Sequence, residues 1–251
     1  MDLTAFLTGQ IFGYILVIAR LGSAMLFMPG LGEAYAPVRV RILLALVLSL
    51  ALYPMVPVPP LVEGNLVFQA KLIIFEVTIG LWIGLMARIL MTCLQFAGFQ
   101  IGQVSALANA FASNSGSFQG STMVANFLLV SGVALIFITN THHIMIHSLM
   151  KSYNIFPLGE IIPGDLSQQA AKVATYSIYI GMSLAAPFYV LGILNNVALG
   201  LANRMMPTLP VFFVASSMLI FSGLLVFYIA APSILKGFFQ VFRVWFETFE
   251  I

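Results

Sequence analysis

The chain has 251 residues, 61% of them hydrophobic and 7% charged, with a mean hydropathy of +1.06. Soluble domains carry about 25% charged residues, so this composition belongs to an integral membrane protein or to part of a hydrophobic assembly. A net charge of +2 without a basic cluster is too small to argue for a nucleic-acid partner, and the single Cys93 excludes an internal disulfide framework or a multi-cysteine metal site.

Residues 5–28 form the first apolar helix candidate, long enough to span a hydrocarbon core of about 30 Å. The segment lacks a basic flank and a small-residue cleavage site, so it reads as a retained helix and not as a signal peptide. Arg20 interrupts it and either snorkels to the interface or pairs within a bundle, with snorkelling the favoured reading. Met28-Pro29-Gly30 stops the helix, and Gly30 and Gly32 permit a tight turn. Pro37 opens a second helix at its first turn, continuing through RVRILLALVLSLALYPMV. Pro54, Pro57, Pro59 and Pro60 then make a stiff, extended connection.

From Leu66 the pattern is helical again. Continued to about Asn109, this third helix would be roughly 65 Å long at 1.5 Å per residue, about twice a bilayer core. It must therefore tilt, break or extend beyond the membrane, and the break is expected between Gly98 and Gly120. The stretch from Gln95 to Asn126, QFAGFQIGQVSALANAFASNSGSFQGSTMVAN, is crowded with Gln, Asn, Ser and Gly. No charge occurs between Arg88 and Lys151 and no proline between Pro60 and Pro157. Uncharged polar and small side chains suit a backbone that leaves helix while buried in protein or lining an aqueous path. The stretch reads as a re-entrant or plug-like loop, set against the alternative of an extramembrane loop without charge. Position favours the first, because exposed loops usually carry charge.

A fourth apolar helix is expected over Met123–Met150, ending at Lys151, followed by a polar loop over 152–167. A fifth runs from about Leu166 to Asn203 with a kink near Pro187. Pro207 and Pro210 mark a hairpin corner. The sixth, Val211–Ala231, ends at Pro232 and leaves a short amphipathic tail from Lys236 to Ile251. Lys and Arg divide evenly between alternate loops, so the positive-inside rule assigns no orientation.

His143 and His147 have the i,i+4 spacing of a helical metal pair, with His142 beside them, but no carboxylate or cysteine lies nearby and HExxH is absent. Interfacial histidines at a helix end are the favoured reading, with no metal and no cofactor. Nucleophile elbow, phosphate loop and dinucleotide fingerprint are all missing, which argues against catalysis. Glu76 lies well inside an apolar helix, where a carboxylate costs roughly 2.5–3.5 kcal/mol by insertion scales. Arg88, twelve residues on, is about 18 Å away in a straight helix. Glu76 therefore needs a partner from another helix or subunit, or protonation, and an intersubunit contact is favoured over a proton relay. Gly9/Gly13, Gly80/Gly84, Gly98/Gly102 and Gly116/Gly120 have GxxxG spacing; a packing seam is plausible at Gly80/Gly84 and Gly98/Gly102, which share one long helix.

MPGLGEAYAPVRVRILLALVLSL at 28–50 pairs a helix ending in PG-x-GE with a proline and an RVR-led apolar helix. This pattern resembles the flagellar biosynthetic protein FliR family, within the export-apparatus T family of type III secretion systems. Phe99-Gln100-Ile101-Gly102, the Ser/Asn/Gly loop at 105–120 and the corner from Ala202-Asn203-Arg204 to Pro207 extend the likeness over nearly the whole chain. The chain departs from the family at that corner, where Pro207-Thr208-Leu209-Pro210 replaces a Pro-Gln followed by Asn.

The resemblance implies an all-α membrane protein of about six long apolar helices arranged as broken hairpins, forming a single export-gate domain. Residues 1–165 would be P-type-like helices with a plug loop near 105–120; residues 166–251 would be a Q-type-like hairpin and tail. Asn109, Ala110, Phe111, Ala112, Ser113, Asn114, Ser115, Gly116, Ser117 and Phe118 would form the plug, with Phe111 at the constriction. Glu33, Arg39, Arg41, Glu76, Arg88 and Arg204 would make intersubunit or buried polar contacts. The implied partners are P-type and Q-type subunits, the B-type switch subunit, the membrane and unfolded protein substrates. The implied place is the bacterial inner membrane at the flagellar basal body, raised towards the periplasm on assembly. An injectisome gate homologue is the alternative within the family. A secondary transporter is the alternative outside it, which broken helices also fit but for which two matching halves are lacking.

Overall fold

The computed structural model describes residues 3–33, 37–56, 66–105, 119–159, 163–205 and 211–249. Among them the chain is helical, with no strand. The α-helices are α1 (Leu3–Phe27), α2 (Val38–Leu52), α3 (Leu66–Val104), α4 (Gln119–Ile138), α5 (Thr141–Ile155), α6 (Pro163–Met205) and α7 (Val211–Thr248), with a 3-10 turn over Tyr53–Met55. Five helical stretches are long and apolar enough to cross a membrane, and a sixth results if α4 and α5 count as one broken span. The apolar segments needed by the sequence are thus present.

Two boundaries differ from expectation. The fourth helix stops at Ile138, because Asn140 adopts the left-handed conformation at φ 58° that only Gly, Asn and Asp visit readily. The Thr139 hydroxyl bonds back to the Leu135 carbonyl at 2.6 Å, and the His143 amide restarts the ladder on the Asn140 carbonyl at 3.1 Å. The last helix does not end before Pro232. It continues to Thr248, so the expected short tail is the end of α7. Hydrocarbon offers no competing hydrogen bonds, so losing one N–H costs the ladder less than unwinding it would. Helix α6 likewise includes Pro187. The hairpin corner at Pro207 and Pro210 lies outside the described residues.

The chain divides into two compact units, each discontinuous in sequence. Unit 1 comprises Met1–Leu90, Asn140–Ala174 and Trp245–Ile251; unit 2 comprises Met91–Thr139 and Thr175–Val244.

In unit 1, α1 and the first half of α3 meet along the expected Gly80/Gly84 seam. A methyl group on Gly80 would overlap the Arg20 carbonyl and the Ser23 hydroxyl, and one on Gly84 would overlap the Ala24 carbonyl. The indole N–H of Trp82 donates to the Leu166 carbonyl at 3.0 Å, tying α3 to the start of α6. The end of α7 is held by α5: the Ser148 hydroxyl donates to the Phe246 carbonyl and Lys151 Nζ to the Glu247 carbonyl. Trp245 and Phe246 are fully buried, and Phe249 closes the helix in a left-handed turn at φ 57°. By contrast α2 leaves Val40, Leu43, Val47 and Leu50 exposed.

In unit 2 the second half of α3 is the common neighbour. Gly98 admits the backbone of Ala125 on α4, Gly181 and Gly192 on α6 face Phe96 and Val104, and Gly223 on α7 faces Ser105. Small residues at such contacts let helices pack closely where lipid supplies no hydrophobic drive. Thr92, Gln95, Phe96, Phe99, Ser177 and Ile178 line an open cavity of about 360 Å³ that carries no charge.

Candidate functional site

Two polar clusters in unit 1 collect most of the charged residues singled out from sequence. The first is buried. Glu76 on α3 is fully inaccessible, and so is Arg20 on α1, which therefore does not snorkel. The partner that Glu76 meets is Arg20 on another helix of the same chain, and both side chains are fully buried. The pair is bidentate: Arg20 Nε donates to Glu76 Oε2 at 2.6 Å and Nη2 to Oε1 at 3.0 Å. That fork geometry is open to Arg and not to Lys.

The remaining donors of Arg20 reach α5. Nη1 donates to the Ser152 hydroxyl at 3.3 Å, and Nη2 to the Phe156 carbonyl at 3.0 Å. The Tyr153 ring covers the guanidinium with its centroid 3.9 Å from Cζ, close enough for a cation–π contact. Gly80 lies one helical turn beyond Glu76, so the backbone approach it permits is what brings Arg20 to the carboxylate. Ser152, Tyr153 and Phe156 went unrecognised in the sequence. One signal was available: a lone Arg and a lone Glu, each inside an apolar helix, invite pairing with one another.

The Tyr153 hydroxyl is buried and has no hydrogen-bond partner among the described residues. Tyr153→Phe keeps the ring over Arg20 and removes the unsatisfied group. The thermal unfolding midpoint is expected to stay level or rise, by the equivalent of about 1 kcal/mol. A clear fall would show that the hydroxyl has a partner after all.

The second cluster surrounds the PG-x-GE turn. Gly30 takes φ 80°, and the Gly32 amide donates to the Met28 carbonyl at 2.7 Å. Arg41 Nη1 donates to the Gly32 carbonyl at 3.4 Å, and Arg88 Nη1 lies 3.7 Å from Glu33 Oε1. The Arg88–Glu33 pair is partly exposed, so its worth is small, about 0–1 kcal/mol. Arg39 and Arg204 are exposed and join neither cluster. The rings of His142 and His143 lie 4.3 Å apart on α5, tilted by 36° to one another. Among the described residues no three His, Cys, Asp or Glu side chains gather as a metal site would need. The plug residues, Asn109–Phe118, lie outside the described residues.

Span-length apolar helices, close glycine-mediated packing and a buried ion pair satisfied by a third helix define a polytopic helical membrane protein. Residues 11–244 match the model of the bacterial export proteins, family 1, and the chain belongs to that family. It is 37% identical to the flagellar biosynthetic protein FliR of Caulobacter vibrioides, over 88% of this chain and 90% of that one. It is 24% identical to FliR of Bacillus subtilis over 94% and 92% of the two chains. Identity to the Yop proteins translocation protein T of Yersinia pestis is 28%, over 80% and 79%. The resemblance to FliR carried by the PG-x-GE turn and the RVR-led helix therefore holds across the chain.

Proposed function

We propose that the chain is a non-enzymatic component of the flagellar type III protein export gate, helping to form and plug the channel that passes unfolded flagellar proteins. The observation that carries this reading is the 37% identity to a flagellar biosynthetic protein over nine-tenths of that protein's length. The buried Arg20–Glu76 pair fits a structural role for these charges within the helical unit. P-type and Q-type subunits, and the B-type switch subunit, are the proposed partners, in the inner membrane at the basal body. The apolar faces left open on α2, α6 and α7 suit partner helices as well as lipid. Exposed Arg39 and Arg204 are the charges best placed to meet a partner. In this reading the P-type-like part is 1–165 and the Q-type-like hairpin and tail 166–251.

Loss of the protein is expected to abolish flagellin export and motility, with flagellar partner subunits recovered alongside it from native membranes. Recovery as a stable monomer with motility intact would count against the reading. The similarity to the Yersinia translocation protein keeps an injectisome role as the second reading. It predicts that effector secretion fails while swimming survives.

The plug is the finer part of the proposal. Residues 109–118 contain no charge, and Phe111 and Phe118 are their aromatic members. An apolar constriction excludes ions by dewetting, and in a plug the Asn and Ser neighbours would supply hydrogen bonds that lipid does not. Deleting Ala110–Asn114 is expected to leave assembly intact and make the membrane leaky to small ions, with Phe111→Ala giving a weaker leak. Unaltered conductance in a correctly assembled complex would rule out the plug.

A further inference from the structure

Helix α6 carries a polar stripe on a face that nothing described in unit 2 covers. Asn196, Gly200 and Asn203 follow the i, i+4, i+7 spacing of one helix side, and all three are exposed. Neither carboxamide has a hydrogen-bond partner among the described residues. Around them Ile193, Val197 and Leu201 are each more than half exposed, so the stripe runs through an apolar surround. Asn196 lies about 10 Å inside the level of Asn203, away from the helix end, where a lipid chain satisfies none of the hydrogen bonds of an amide. Gly200 adds a second observation. Gly80, Gly84, Gly98, Gly192 and Gly223 each admit an atom of a neighbouring helix where a Cβ would stand, whereas nothing described lies within 4 Å of that position at Gly200. Glycine in a helix interior is costly against alanine, so a notch unused within the chain points to a neighbour outside it.

We propose that this stripe is the docking face for one membrane-spanning helix of another subunit, which crosses α6 at Gly200. The partner helix comes close at the glycine and sets an uncharged hydrogen-bonding side chain against Asn196. Its end brings a carboxylate to Arg204, which stands exposed in the last turn of α6 without an ion pair among the described residues. A lipid phosphate could serve Arg204, but lipid chains leave the Asn196 amide unpaired and the notch at Gly200 without purpose. A polar membrane helix answers both, because close approach at small residues and interhelical hydrogen bonds are what hold helices together in hydrocarbon. The inference rests on the proposed export complex for the source of the partner, and on α6 alone for its chemistry.

The test uses the full chain in native membranes, where its own level and the membrane subunits recovered with it are measured together. A leucine at position 200 starts in open space and improves helix propensity, so on a lipid-facing helix Gly200→Leu is harmless. At a docking face it blocks the approach. Gly200→Leu and Asn196→Leu are both expected to lower partner recovery per chain, the second by about three- to thirtyfold. Unchanged recovery in either variant overturns the proposal. Should a variant be degraded, the contact is read in the otherwise unaltered chain by photo-cross-linking from Ile193→p-benzoylphenylalanine. An adduct whose cross-linked peptide lies in an apolar span of a different subunit supports the docking face. An adduct with a second copy of this chain, or no protein adduct, overturns it. If flagellar export subunits co-purify normally while no adduct forms, the docking face fails and the proposed function stands. If the adduct forms with a membrane protein foreign to export, the docking face stands and the proposed function fails.

Discussion

Glu76→Leu is expected to deplete the protein from the membrane, with a loss of about 3–5 kcal/mol. Removing one member of a buried pair leaves the other charge uncompensated. The stranded group is Arg20, fully enclosed on α1, whose remaining partners are one hydroxyl, one carbonyl and the face of the Tyr153 ring. None of these carries a charge to neutralise a guanidinium. Glu76→Gln keeps an acceptor in the same place, so its loss is expected to be smaller, about 1.5–3 kcal/mol, the range for hydrogen bonds to charged groups. Quantitative immunoblots of membrane fractions, with swimming assays at matched protein level, distinguish the two. A proton-relay role for Glu76 predicts instead that both variants accumulate normally and are equally inactive.

The second large effect is expected at the other end of the chain. Trp245→Ala should cost about 3–5 kcal/mol, the usual range for truncating a buried aromatic residue. Trp245 is fully buried in unit 1, with Phe246 edge-on at 4.9 Å and Phe249 at 5.4 Å between ring centroids. Its indole N–H has no hydrogen-bond partner among the described residues, so Trp245→Phe should be tolerated far better. The contrast is the point of the experiment. Equal loss in both variants would mean that the indole N–H, and not ring volume, is what the site requires. Proteolysis of solubilised complex, followed from a tag on the N-terminus, reads the result.

These two sites mark where sequence reasoning reached and where it stopped. Glu76 stood out because a carboxylate inside an apolar helix is costly wherever it sits. Its partner did not, since Arg20 is 56 residues away and a lone Arg is equally well explained by snorkelling. Trp245 drew no attention at all. Residues after Pro232 looked like a tail because proline usually ends a helix, whereas the helix runs on to Thr248 and buries its last aromatic residues. The break at Asn140 was equally silent, because apolar residues continue on both sides and one left-handed residue leaves no periodic trace.

What the amino-acid sequence determined by itself was everything that depends on local chemistry. Runs of apolar residues made helices of membrane-spanning length, Met28-Pro29-Gly30 stopped α1, and glycines four apart on α3 marked the face where another helix would lie. These follow from backbone sterics and hydrophobicity, which act between near neighbours in the chain. Tertiary structure alone decided which charge answers which, that α5 supplies Ser152 and Tyr153 to Arg20, and that unit 1 takes its last segment from the end of α7. Apolar helix faces are interchangeable in hydrocarbon, so their pattern does not name their neighbours. That choice falls to a few directional contacts, of which the Arg20–Glu76 fork is the most demanding because each buried charge is neutralised by the other.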